Sequence, residues 1–151
     1  MVDLPAKSVV EGTLEIGTIY YLEAQELIRT YEPHYFIVIY IDDEDIYLLK
    51  GTSRKESIET RIERFYGNDF SGVVCLEPID SEYELTKTTY VNCHDPISIR
   101  KRFLIEKREN SVLQYKGKIN RDYWLQIKYG ITNSKYTDLA GIFAELPEDF
   151  I

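Results

Sequence analysis

Tyr35-Phe36-Ile37-Val38-Ile39-Tyr40-Ile41, then Asp42-Asp43-Glu44-Asp45, then Ile46-Tyr47-Leu48-Leu49, is the stretch whose reading decides the fold. The first run is continuous in β-branched and aromatic side chains, which fit a pleated strand and crowd a short helix. It predicts a strand with both faces buried. The acidic tetrad is turn-prone, and a loop of that length joins antiparallel neighbours, so the second apolar run predicts the return strand of a hairpin. Working outward, Gly17 to Leu22 reads as an earlier strand. Val73 to Leu76 reads as a fourth that stops at Glu77-Pro78, and Thr88 to Asn92 reads as a fifth. In the fifth, the period of two sets Thr89, Val91 and Cys93 on one face, the better candidate for the core. Ile97 to Leu104, with Ile97, Ile99 and Phe103 set among basic residues, reads as a sixth.

Three segments read as helices. In Ser57 to Tyr66, Ile58, Ile62 and Phe65 recur at one-turn spacing before Gly67 provides a stop. Asn120 is placed to cap a helix over Arg121 to Tyr129, with Trp124 and Ile127 on one face and Gly130 at its end. Thr137 to Leu146 gathers Leu139, Ile142, Phe143 and Leu146 on one stripe before Pro147, and such stripes serve a protein's own core. Short strands followed by helices predict a mainly β or α+β domain over residues 1–151, rather than alternating βαβ units. Residues 1–5 precede any pattern and are expected to fray.

Several function classes are disfavoured by what the chain lacks. The glycines are scattered without a phosphate-cradling pattern, no Gly-x-Ser-x-Gly elbow occurs, and Cys93-His94 are adjacent while Cys75 and His34 lie far away. No cofactor or metal is expected. Cys75 and Cys93 sit in apolar runs, as small buried hydrophobes rather than a disulfide. No run approaches the ~18 apolar residues of a membrane span, so a cytoplasmic protein without membrane contact is expected. The net charge of −8 repels nucleic acid on average, and no DNA binding is expected. The charge is uneven, however: residues 94–130 hold 9 Lys/Arg against 4 Asp/Glu, including Arg100-Lys101-Arg102 and Lys107-Arg108. That island is either a solvated face or a surface that holds an RNA strand.

A Gly-led first strand, then His34-Tyr35-Phe36-Ile37-Val38-Ile39, a strand ending Leu49-Lys50-Gly51-Thr52-Ser53, an apolar strand, and Thr89-Tyr90-Val91-Asn92-Cys93-His94-Asp95 together resemble the PemK/MazF-like toxins, over about Gly17 to Ile99. The resemblance implies a small SH3-like β-barrel with C-terminal helices packed on it. It also implies a metal-independent endoribonuclease acting on single-stranded RNA, partnered by an antitoxin and assembled as a homodimer. Such enzymes let the ribose 2′-hydroxyl attack its own neighbouring phosphate, which calls for a proton acceptor, a proton donor and positive charge at phosphorus. The family places a Thr or Ser after the third strand, matched here by Thr52 and Ser53, with Arg54 next. It places an Arg beside the start of the second strand, where this chain has His34.

The resemblance therefore implies His34 as acid or base, Thr52, Ser53 and Arg54 around the cut, Arg29 or Arg54 as the cation, and Arg100, Lys101, Arg102, Lys107 and Arg108 holding the strand. Read from the residues alone, His34 is more simply a surface histidine and Thr52-Ser53 equally a strand-end cap, while His94-Asp95 is a turn before Pro96. Most tyrosines, among them Tyr20, Tyr21, Tyr35, Tyr40, Tyr47 and Tyr90, are strand formers rather than base-stacking platforms. The acidic balance and the missing Arg motivate an alternative, a non-catalytic SH3-like module that binds a protein partner.

Overall fold

The structure, a computed structural model, describes residues 4–30, 32–78 and 83–145. Its strands are β1 (Thr18–Leu22), β2 (His34–Asp42), β3 (Asp45–Thr52), β4 (Val73–Leu76), β5 (Thr89–Asn92), β6 (Ile97–Arg100) and β7 (Leu113–Lys118). They form one antiparallel sheet in the order β4-β5-β3-β2-β1-β7. β6 pairs with the first half of β3 while β5 pairs with its end. The helices are α1 (Ala6–Thr13), α2 (Gln25–Ile28), α3 (Lys55–Phe65), α4 (Lys101–Glu109), α5 (Arg121–Thr132) and α6 (Ala140–Glu145).

The expected hairpin is the centre of the sheet. β2 and β3 turn through Asp43 and Glu44, with Asp42 opposite Asp45 and Asp43 at φ 55, a left-handed conformation that Asp tolerates. Phe36, Ile37, Val38 and Ile39 are all fully buried, because each face of the sheet carries its own core. Ile37, Leu49 and Val91 face a cluster completed by Trp124, Ile127 and Ile131 of α5, by Phe143 of α6 and by Leu139 just before it. Phe36, Val38, Ile46 and Leu48 face a second, completed by Val10 of α1 and Leu104 of α4. Strand tyrosines pair across the ladders as expected, Tyr21 with Tyr35 (ring centroids 4.6 Å apart) and Tyr40 with Tyr47 (5.8 Å).

Several elements differ from those the sequence predicts. α1, α2 and β7 carry no strong periodicity and were not expected. The sixth strand ends at Arg100, and Lys101 starts a helix. Once Leu104 is buried against α1, the mixed run 101–109 gains more as an amphipathic turn than as an edge strand. Phe65 (63% exposed) and Ile142 (42% exposed) leave the apolar stripes assigned to them. Leu146 lies outside the described residues, as do residues 1–3 of the segment expected to fray.

The cap at Asn120 is present, its Oδ1 accepting the Tyr123 N–H at 2.9 Å. Gly130, however, does not end α5. It sits inside the helix, where a Cβ would stand 3.0 Å from Cys93 Sγ, so its role is to let α5 close on β5. Cys93 is fully buried, which holds its thiol up and protonated, whereas Cys75 is half-buried beside Glu77. Both are free. Among the described residues no helix is long and apolar enough to cross a membrane.

Candidate functional site

An open cleft of about 960 Å³ lies at the end of the hairpin away from its turn. Its position follows from the register. Tyr35 stands opposite Gly51, so His34 at the start of β2 faces Thr52 at the end of β3, and Lys50, opposite Phe36, points to the same side one step inward. One wall is α3, which springs from Arg54 directly after β3. The other is the end of α2 with Arg29, Thr30 and Glu32, and the far lip is the turn from β5 into β6 with Asn92 and Asp95. Leu27, Ile28 and Ile97, which pack against the second core cluster, make an apolar floor.

Four of the five expected catalytic residues, Arg29, His34, Thr52 and Arg54, line this cleft, while Ser53 is exposed and is not among the lining residues. The structure adds Lys50, Arg61 and Arg64 as further cations, against Glu32, Glu56 and Asp95. The cleft is thus a basic site on a chain whose net charge is −8. These additions were readable in part: Lys50 is two residues before Thr52, hence on the same strand face, and Arg61 and Arg64 are three apart on a helix, hence adjacent on its surface.

His34 Nδ1 lies 2.9 Å from the Glu32 carbonyl oxygen. A carbonyl only accepts, so Nδ1 carries the proton and Nε2 the lone pair. Partial burial lowers the pKa of His34, helped by the charges of Lys50 and Arg54. The hydrogen bond to the Glu32 carbonyl and the Glu32 charge oppose that shift. The imidazole is therefore held neutral and able to accept a proton at neutral pH. Lys50 is likewise lowered, by burial first and by Arg61 second, with Asp95 opposing.

Thr52 does serve the turn, its Oγ1 accepting the Arg54 N–H at 3.2 Å, which leaves the hydroxyl proton to donate. Arg54 meets Glu32 at 3.5 Å and Arg61 meets Asp95 at 3.8 Å. All four side chains are about half exposed or more. Such pairs are worth on the order of 0–1 kcal/mol, little enough for a phosphodiester to displace them.

The basic island is not brought to the cleft. Arg100 pairs with Asp45 (3.1 Å), Lys101 with Glu11 (3.5 Å), Arg102 with Glu106 (3.0 Å) and Lys107 with Glu26 (2.9 Å), and Arg108 donates to the Leu113 carbonyl (3.1 Å). None of the five lines the cleft. Three of these partners, Asp45, Glu11 and Glu26, are acids distant in sequence, so the run is less unbalanced than it looks when read linearly.

His94 is a core residue in a turn. It is 2% exposed, stacked on Tyr66 with centroids 5.1 Å apart. Its Nε2–H donates to the Asp69 carbonyl at 2.8 Å, and its Nδ1 accepts from Ser134 Oγ at 2.6 Å. Gly72 packs flat against the ring, where a Cβ would stand 2.3 Å from Nε2. Asp95 is not held to this imidazole; its carboxylate turns to Arg61. Among the described residues no group of three His, Cys, Asp or Glu side chains is placed to hold a metal ion.

Comparison with protein-family models and with curated proteins finds no match for this chain.

Proposed function

We propose that the cleft is the active site of a toxin-like endoribonuclease that cuts single-stranded RNA without metal. The observation that carries this reading is the imidazole of His34, its Nδ1 bonded to the Glu32 carbonyl and its Nε2 without a hydrogen-bond partner among the described residues, in a cleft with five Lys/Arg side chains. His34 takes the 2′-hydroxyl proton, the 2′-oxygen attacks the adjacent phosphorus, and Arg54 with Arg29 faces the charge that grows on the phosphoryl oxygens. Thr52 is available to hold a phosphoryl oxygen through its hydroxyl proton. The 5′-oxygen departs and leaves a 2′,3′-cyclic phosphate.

Two features of the fold support the likeness to PemK/MazF-like barrels. The hairpin delivers the start of one strand and the end of the next to one site, as the resemblance requires. In addition, the bridge Tyr83–Gly117 and the Glu84 N–H donating to the Lys116 carbonyl tie the chain following β4 to β7, the opposite edge strand, the kind of link that closes a small barrel. An antitoxin partner and a twofold dimer belong to the same proposal.

The test is incubation of purified protein with mixed-sequence single-stranded RNA, with and without EDTA. Expected are fragments ending in 2′,3′-cyclic phosphate and 5′-hydroxyl, at a rate unchanged by chelation. Intact RNA at every salt concentration favours the non-catalytic protein-binding module instead, and cleavage lost on chelation rules out the metal-free route.

A further inference from the structure

The proposed reaction leaves one role open, the acid that protonates the departing 5′-oxygen, and we infer that Lys50 fills it, an assignment that rests on the nuclease reading of the cleft. Lys50 is on the same side of β3 as Thr52, one register step inward from the His34–Thr52 pair, and lines the cleft. A base and an acid on neighbouring positions of one sheet face can reach the attacking and leaving oxygens of a single phosphodiester. The side chain is half-buried, and among the described residues it has no carboxylate within ion-pair distance. Lys101, Lys107, Lys116 and Lys118, also partly withdrawn from water, each meet one. An unpaired, partly desolvated ammonium is costly to keep as structure alone, and it is the more willing to release a proton because burial and Arg61 lower its pKa. The guanidinium groups of Arg29, Arg54, Arg61 and Arg64 do not release protons at neutral pH, so they stabilise charge but do not serve as acids.

The step balances. The 2′-hydroxyl proton passes to His34 Nε2 as the O2′–P bond forms, and a Lys50 Nζ proton passes to O5′ as the P–O5′ bond breaks. The products are a 2′,3′-cyclic phosphate and a 5′-hydroxyl. Exchange with water returns His34 to the neutral and Lys50 to the charged form.

The experiment compares an oligoribonucleotide, its cleavage site mapped with wild-type protein, with the same oligonucleotide carrying a bridging sulfur in place of that 5′-oxygen. A thiolate leaves without protonation. Lys50→Ala should therefore cut the oxygen substrate about 10²–10⁴-fold more slowly than wild type and the sulfur substrate at close to the wild-type rate. The latter result also shows that the variant is folded. His34→Ala should be slow on both, and Lys50→Arg should behave as Lys50→Ala. Equal slowing of Lys50→Ala on the two substrates, or full activity of Lys50→Arg, overturns the assignment and leaves the nuclease reading standing. Wild-type protein that cuts neither substrate overturns both.

Discussion

If the proposed nuclease reading holds, His34→Ala should slow RNA cleavage about 10²–10⁴-fold, the usual worth of a positioned general base, with the melting temperature nearly unchanged. The small effect on stability follows from a single hydrogen bond to the Glu32 carbonyl in an exposed setting. The large effect on rate follows from removing the neutral imidazole from the cleft's lining residues. The pH dependence carries a sign that distinguishes a base from a bystander. In the proposed reaction the competent form is neutral, and burial, Lys50 and Arg54 lower the pKa of His34 below its ordinary 6.5. Activity should therefore hold through neutral pH and fall only as acidification passes that lowered value. Arg54→Gln removes a positive neighbour, so its acid limb should move to higher pH. Single-turnover rate profiles of wild type and Arg54→Gln check this, and an acid limb that stays put in Arg54→Gln removes His34 from the role of base.

Trp124→Ala costs about 3–5 kcal/mol, enough to leave a domain of ordinary stability near its unfolding threshold at physiological temperature. Trp124 is 1% exposed in the cluster shared by β2, β3, β5, α5 and α6, with its ring 5.9 Å from that of Phe143. Removing the indole leaves a cavity that Ile127 and Ile131, fixed on the same helix, cannot fill by collapse. Denaturant unfolding should show the full loss in midpoint, with Trp124→Phe losing much less. A cost below about 1 kcal/mol would mean that α5 does not dock as described. The cleft lies against the other core cluster, so a mild variant here should still cleave RNA below its melting temperature.

The central hairpin was legible because a seven-residue apolar run has one favourable place in a domain, a strand buried on both faces, and Phe36 to Ile39 occupy that place. The Asn120 cap and the α5 face were legible for the same kind of local reason. β7, reading Leu-Gln-Tyr-Lys-Gly-Lys, was not. Its pairing with β1 is dictated by the partner's exposed edge, and its own residues alternate too weakly to announce a strand. The turn from β6 into α4 depends on Leu104 finding α1, an approach between distant parts of the chain that no local window contains. The site was half legible. Strand order alone placed His34 near Thr52, but the setting of each charge depended on partners far away: Glu26 pairs with Lys107 and Asp45 with Arg100, whereas Lys50 meets no such carboxylate among the described residues. Linear clustering of basic residues does not reveal those acids, nor that Arg100 to Arg108 lie outside the cleft.

The measurement that reaches the cleft most directly is the salt dependence of binding to an uncleavable oligonucleotide, deoxy-substituted at the mapped site. Removing one cation that neutralises a phosphate should lower the slope of log K against log salt by about 0.7. Arg54→Gln and Arg64→Gln should weaken binding and flatten that slope, while Arg100→Gln and Arg102→Gln leave both unchanged. Flattening by Arg100→Gln and Arg102→Gln, with none from the cleft variants, would contradict the cleft as the place where RNA is held and cut.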